Sequence, residues 1–226
     1  MILGARTGAW AKSGGVVPTA CDYVQDGLVA MWDGIENAGW GVHDGNSNTW
    51  IDLIGGLKFT FTGTIEFGDD NLLIPTTSSR ANCSIASIPT INSVEMVAKI
   101  TSIKNFTCFI SLAKNSSYCV LGTRYNDTRL SYQSCAVPNV SSLNKRRSYS
   151  GTLGNTTQFY SNNVLVRGSI AGWSSSYWKD DIVWINMESS WITTGEVNSI
   201  RLYSRDLTEE EIANNYAVDK ARFNLT

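Results

Sequence analysis

From Gly27 onward the chain is a succession of short apolar runs cut by polar turns, and only its last segment repeats at the helical period. Leu28-Val29-Ala30-Met31-Trp32 lies between Gly27 and Asp33-Gly34, the pattern of a strand buried on both faces. Leu57-Lys58-Phe59-Thr60-Phe61-Thr62 alternates and reads as a half-exposed strand. Further strands are expected at 65–67, 72–74, 94–100, 106–112, 118–125, 129–133, 158–161, 164–167, 182–187 and 199–203. Their spacing, about eight to twelve residues, is that of a β-sandwich. Asn162-Asn163 separates two of these runs, and because asparagine tolerates positive φ the pair predicts a two-residue primed hairpin turn. No fixed-period repeat is present, which argues against a solenoid or propeller.

One helix is signalled, at the C-terminal end. Thr208-Glu209-Glu210-Glu211 spells a capping box, flanked by Leu207 and Ile212 in hydrophobic-staple positions. Three glutamates suit the positive end of its dipole, and Lys220 and Arg222 the negative end. Ile212, Tyr216, Ala213 and Ala217 are the apolar stripe it is expected to bury. The expectation is an all-β, two-sheet antiparallel sandwich with one C-terminal α-helix.

Composition narrows the function. At 226 residues the chain is long enough for one self-sufficient β-domain, placed at 26–226; residues 1–25, rich in Gly, Ala and Ser, read as an N-terminal arm or linker. A net charge of −2 supplies no field for nucleic acid or anionic membrane, and no eighteen-residue apolar run exists for membrane insertion. Met1 to Gly15 lacks the continuous apolar region of a signal peptide. The single histidine, His43, excludes His-cluster chemistry. Cys21, Cys83, Cys108, Cys119 and Cys135 are odd in number and have no CxxC spacing, which excludes a zinc knuckle or redox motif. Cys119 and Cys135 are either partners across a hairpin or unbridged strand thiols.

The order of the segments resembles a known family. The chain opens with Asp26-Gly27-Leu28-Val29-Ala30-Met31-Trp32-Asp33-Gly34 and continues with Trp50-Ile51-Asp52-Leu53-Ile54-Gly55-Gly56. It carries Gln158-Phe159-Tyr160-Ser161-Asn162-Asn163-Val164-Leu165-Val166 in the middle, and closes with the run from Asn198 through Ser204-Arg205-Asp206-Leu207-Thr208 to Ile212. Over residues 26–218 this is similar to the laminin-G-like branch of the concanavalin A-like lectin/glucanase superfamily. The lead-in Gly4-Ala5-Arg6-Thr7 to Lys12-Ser13-Gly14-Gly15 also looks like that of laminin-G-like proteins from gut bacteria and their phages. The resemblance implies a jelly roll of two curved sheets with first and last strands close together. It implies less about activity, because one fold hosts many functions.

A glucanase of this superfamily would carry paired carboxylates on one strand, as ExDxxE, and no such triplet exists. Glu66, Asp69 and Asp70 have the wrong spacing, and Asp180, Asp181 and Glu188 flank a strand rather than project from it. No catalytic residue is therefore assigned, and glycoside hydrolysis is a minor alternative. Calcium is the one cofactor the resemblance implies, through hard oxygen ligands at the rim with Asp33, Asp44 and Asp52 as candidates; turn capping is the competing reading. Trp173, Tyr177 and Trp178 concentrate three rings in one polar loop, and Trp40 and Trp191 lie in others. Rings in loops suit stacking on sugar faces, whereas Trp32 and Trp184 sit inside strand runs and read as core. Asn82, Asn105, Asn115, Asn126, Asn139, Asn155 and Asn224 begin glycosylation sequons that mostly mark polar turns. Lys145, Arg146 and Arg147 read as a solvated strand entrance.

The leading expectation is a non-enzymatic adhesion or carbohydrate-recognition module whose partner is a glycan or host surface, at an extracellular surface or virion. The alternative is a structural fibre or decoration component of a phage virion, homo-oligomeric and attached to other virion proteins through residues 1–25.

Overall fold

The computed structural model describes residues 17–37, 41–42, 49–74, 76, 79–88, 90–103, 107–111, 119–123, 129–132, 135–141, 144–152, 158–167, 182–185 and 193–226. In chain order the first strands are β1 (Leu28–Asp33), β2 (Glu36–Asn37), β3 (Gly41–Val42), β4 (Thr60–Thr62), β5 (Glu66–Phe67), β6 (Leu72–Ile74), β7 (Arg80–Ser84) and β8 (Ser93–Ile103). Then come β9 (Thr107–Ser111), β10 (Cys119–Thr123), β11 (Arg129–Tyr132), β12 (Cys135–Ser141), β13 (Arg146–Thr152), β14 (Gln158–Ser161), β15 (Val164–Arg167), β16 (Ile182–Ile185), β17 (Thr193–Tyr203) and α1 (Glu209–Phe223). Eight strands form one sheet in the order β15-β14-β13-β8-β17-β6-β5, with β1 also paired to β17. Seven form the second, β12-β11-β10-β9-β16-β7-β4, while β2 and β3 make a small separate ladder. The fold is the two-sheet antiparallel β-sandwich with one C-terminal helix that the strand pattern predicts.

β17 organises the larger sheet. One of its edges pairs with β8 from Thr193↔Ile103 to Tyr203↔Ser93. The other is shared, with Gly195 to Val197 pairing β6 and Ser199 to Tyr203 pairing β1. Asn198 falls at the junction, where the register with β8 also shifts. Its carbonyl accepts from the Gly34 amide at 2.7 Å, and its side-chain amide donates to the Asp70 carbonyl at 2.8 Å. Gly34 passes so close to the β5–β6 turn that a Cβ there would overlap the Asp70 carbonyl and sit 2.7 Å from the Asn71 nitrogen.

Strand alternation divides this sheet into an apolar and a polar face. Val94, Met96, Ala98 and Ile100 of β8, Val197, Ile200 and Leu202 of β17, and Ala30 and Trp32 of β1 meet Ala81, Cys83, Ile110, Val183 and Ile185 of the second sheet in one core. The opposite face carries Glu95, Ser148, Ser150, Ser199, Arg201 and Asp33, all buried, because α1 and residues 19–25 cover it. The hairpin turn forms as expected, with Asn162 at φ 48° and Asn163 at φ 61°. Thr208 caps α1 by accepting from the Glu211 amide at 3.2 Å while Glu211 accepts from the Thr208 amide at 2.9 Å.

One expectation is corrected. The buried face of α1 is Ile212, Asn215, Val218, Asp219, Arg222 and Phe223, so Ala217 is exposed and the stripe runs through polar residues. The segment just before residue 26 is anchored. Ala20 and Tyr23 are buried there, the Tyr23 hydroxyl donates to Asp219 at 2.8 Å and the Val24 amide to Asn215 at 2.9 Å. Cys119 and Cys135 lie on β10 and β12, with β11 between them.

Candidate functional site

The two early aspartates are committed to the fold. Asp52 lies beside the edge of β1 that β17 leaves open. Its Oδ1 accepts from the Met31 amide at 2.6 Å and from Ile54 at 3.0 Å, and its Oδ2 from Gly55 at 2.6 Å. Asp33 caps the next turn by accepting from the Ile35 and Glu36 amides at 3.0 and 2.9 Å. It also meets both terminal nitrogens of Arg222 at 2.9 and 3.0 Å. Burial raises the Asp33 carboxyl above the usual carboxylate range, and the Arg222 guanidinium opposes that shift. Every carboxylate oxygen of this pair already has a donor, which is what turn capping requires. Asp44 lies outside the described residues, and among the described residues no group of three His, Cys, Asp or Glu side chains is placed to hold a metal ion.

Beneath α1 sits a larger ionic cluster. Arg201 donates from Nε to Glu95 at 3.0 Å and from its terminal nitrogens to Asp219 at 2.9 Å, with its Cζ 4.0 Å from the centre of the Tyr23 ring. Ser150 and Asn215 complete Glu95 at 2.9 and 2.7 Å, and Ser148 reaches Asp219 at 2.7 Å. Burial raises the Glu95 carboxyl, whereas the two carboxylates hold Arg201 charged against its own desolvation. The cluster is sealed and reciprocally satisfied, so its geometry suits fixing α1 to the sheet rather than meeting a ligand.

The aromatic candidates Trp40, Trp173, Tyr177, Trp178 and Trp191 lie outside the described residues, as do Asp180, Asp181 and Glu188. The strand ends that flank them are described, and they divide the candidates. Thr193 pairs with Ile103 at the end of β8, and β16 runs antiparallel to β9 with Ile185 opposite Ile110. The end of β16 that precedes Trp191 therefore lies toward the Thr193 end of β17. β1 runs the same way, with Asp33 opposite Ser199, whereas Trp40 follows β2, which pairs with β3 in a separate ladder. Arg167, by contrast, is level with Phe159, Gly151, Val94 and Leu202 across four strands, toward the Tyr203 end. The strands leading to and from Trp173, Tyr177 and Trp178 thus open at the other end of the sandwich. Trp32 is fully buried in the core, as expected.

Glu66 and Asp69 are exposed at β5 and the turn after it, and Asp70 is taken by Arg146, whose terminal nitrogens donate to its two oxygens at 2.6 and 3.1 Å. Arg146 also reaches Glu196 at 3.2 Å and the Phe223 carbonyl at 3.2 Å, so it belongs to the polar face and not to a solvated basic patch. Its neighbour Arg147 points the other way. Tyr149, two residues on, stacks against Phe159 in the core, and Arg147 pairs with the core residue Ala98. Half-buried on the inner face, Arg147 makes no hydrogen bond or ion pair with the described residues, and its Nε is buried without a partner. Ser161, opposite Tyr149 on β14, has a buried Oγ in the same condition. The alternation Arg146-Arg147-Ser148-Tyr149 was the available signal: the residue two before a core tyrosine shares its face.

No family model and no curated protein sequence matches the chain. Solved structures do. A Trypanosoma rangeli sialidase mutant with trans-sialidase activity superposes with a TM-score of 0.65 at 16% identity, over 92% of this chain and 35% of its own. The same organism's sialidase in complex with sialic acid gives 0.62 at 18%, over 92% of this chain and 34% of its own. A chain from botulinum neurotoxin type C, whose cell entry depends on interaction with two ganglioside molecules, gives 0.59 at 12%, over 84% of this chain and 51% of its own. What they share is the fold. This chain spans about a third of the sialidase chains and about half of the toxin chain.

Proposed function

We propose that this chain is a non-catalytic carbohydrate-recognition module of the laminin-G-like, concanavalin A-like kind, acting in adhesion at a surface. The observation that carries the reading is the near-complete superposition on chains from a sialidase solved with sialic acid and from a toxin that depends on gangliosides. The ordered motifs of the sequence support the family, and the lack of an ExDxxE triplet supports the absence of hydrolysis. The rings to test are Trp173, Tyr177 and Trp178, in the sequence between β15 and β16, together with Trp40 and Trp191.

A glycan array on the full chain, with Trp178→Ala and Trp191→Ala as separate variants, tests the reading. Binding lost in one variant and kept in the other identifies the working end. Absence of binding to any glycan at millimolar concentration overturns it. Release of free sialic acid from a fluorogenic sialoside overturns the non-catalytic part alone.

A further inference from the structure

We infer that the corner of the inner face formed by β13, β14 and β15 is a subsite for the carboxylate of an acidic sugar, with Arg147 as its anchor. The inference rests on the glycan-recognition reading and deepens it.

Pairing fixes the composition of the corner. Arg147 and Tyr149 project from β13 toward the inner face, and Ser161 lies opposite Tyr149 on β14. Val164 lies opposite Ser161 across the asparagine turn and so shares that face. The floor is closed and one side is open: Ser161 is 4% exposed whereas Val164 is 64% exposed. An inner-face valine left this bare puts the solvent-facing side of the corner at the β14–β15 turn, with β12 of the second sheet near β15.

Two donors line this opening unfulfilled. The Nε of Arg147 and the Oγ of Ser161 are buried and have no hydrogen-bond partner. The buried arginines of β17 and α1 are paired instead: Arg201 meets Glu95 and Asp219, and Arg222 meets Asp33 and Glu36. A native structure that satisfies these arginines and leaves Arg147 open has a site rather than a packing fault, since buried donors without acceptors are rare. Guanidinium is suited to one ligand class in particular. Its Nε–H and adjacent terminal N–H are parallel and match the two oxygens of a carboxylate, a geometry lysine does not offer. Ser161 adds a hydroxyl that donates to the same carboxylate or to a ring hydroxyl. Val164 supplies an apolar ledge for the sugar's carbon skeleton, and the exposed Lys145 adds positive charge at the entrance. A sulfated sugar also offers the fork two oxygens, so the sulfated comparison sugar in the test separates the two anions.

The test is calorimetric titration of the full chain with 3′-sialyllactose, lactose and 6′-sulfolactose, for the parent, Arg147→Gln and Ser161→Ala. Sialyllactose should bind more tightly than either comparison sugar. Arg147→Gln should weaken it by about tenfold or more, as expected for loss of a bidentate charge-assisted pair, and Ser161→Ala by about threefold. A folded Arg147→Gln that binds sialyllactose as well as the parent overturns the inference. So does sialyllactose binding no better than lactose or sulfolactose, and in that case a glycan array that still shows ligands leaves the recognition reading intact. Absence of all glycan binding overturns both. Should Arg147→Gln fail to fold, the side-chain Nε–H resonance of Arg147 in the parent decides: it must shift on titration with sialyllactose, and an unmoved resonance overturns the inference.

Discussion

Asp219→Ala is the most informative single change beneath α1. Asp219 is fully buried and accepts four hydrogen bonds: two from Arg201 at 2.9 Å, one from Tyr23 at 2.8 Å and one from Ser148 at 2.7 Å. Alanine removes all four bonds and leaves Arg201 with Glu95 as its remaining counter-charge and Ser199 as its other acceptor. At about 1 kcal/mol net per hydrogen bond the loss is about 4 kcal/mol, which agrees with about 3–5 kcal/mol for breaking one side of a buried ion pair. Against a typical stability of about 5–15 kcal/mol, that is a large fraction. In urea, with a slope of about 3 kcal/mol per M, the midpoint should fall by about 1–2 M. The cost comes from the orphaned charge, so removing the cluster altogether should be milder. The triple change Arg201→Met, Asp219→Leu and Glu95→Gln is expected to cost less than Asp219→Ala alone. A loss below about 1 kcal/mol for the single variant would refute the docking of α1 through this cluster. A triple variant worse than the single one would refute the argument that the orphaned charge dominates.

The helix start gives two further tests by urea unfolding. Thr208→Ala removes a cap that water replaces in part and should cost about 1 kcal/mol, whereas Ile212→Ala leaves a cavity beside Tyr160, Tyr203 and Leu207 and should cost about 2–4 kcal/mol. Gly34→Ala drives a methyl into the backbone of Asp70 and Asn71 and should cost about 3 kcal/mol or more, while Gly56→Ala, with open space around it but φ at +73°, should cost about 1–2 kcal/mol. Glu211→Gln tests a pH dependence. The Arg205 guanidinium, hydrogen-bonded at 2.6 and 2.8 Å, holds the Glu211 carboxyl below its usual range although burial works the other way. Its folded pKa is therefore below the unfolded one, so the stabilisation is complete above an unfolded value of about 4.3 and is lost as pH falls through the depressed value. The parent should exceed the variant by at most about 1 kcal/mol at pH 7 and converge with it in acid, and a gap that persists at low pH would contradict the assignment.

Strands that face the apolar core were legible in the sequence, because burial on one side imposes an apolar period. The runs expected at 72–74, 158–161 and 164–167 match β6, β14 and β15 residue for residue. β7, β12 and β13 were not anticipated. β7 reads Arg80-Ala81-Asn82-Cys83-Ser84, with its two core positions held by the small residues Ala81 and Cys83, too little to register as a run. Cys83 is a buried thiol, its pKa pushed up to about 12 chiefly by desolvation, which fits a core residue and not a reactive one. β13 reads as serines and arginines because one of its faces is spent on the buried polar cluster. The α1 stripe was misread for the same reason. An apolar search cannot find Asn215, Asp219 and Arg222 as buried positions, although their spacing of four and three residues places them on one face with Ile212 and Val218.

That shared cause constrains where recognition can take place. The outer face of the larger sheet is closed by α1 and the segment from Thr19 to Val24, whose anchoring hydrogen bonds run into the same cluster that holds Arg201. Opening this face to a ligand would expose two guanidiniums and three buried carboxylates together, so it behaves as a structural seam. The middle of the inner face is filled by the core. Among the described residues, the corner at the β14–β15 turn is where an inner-face residue is bare. A carbohydrate needs both a flat apolar contact and directional polar groups, and the corner holds the unpaired guanidinium and hydroxyl that meet the second need. The Asn162-Asn163 turn lies at the Thr193 end of β14 and β15, the end at which β16 leads toward Trp191. Of the ring candidates, Trp191 is therefore the one whose flanking strand ends open on the same side as Arg147. An acidic glycan anchored at Arg147 should accordingly lose affinity in Trp191→Ala before it does so in Trp178→Ala.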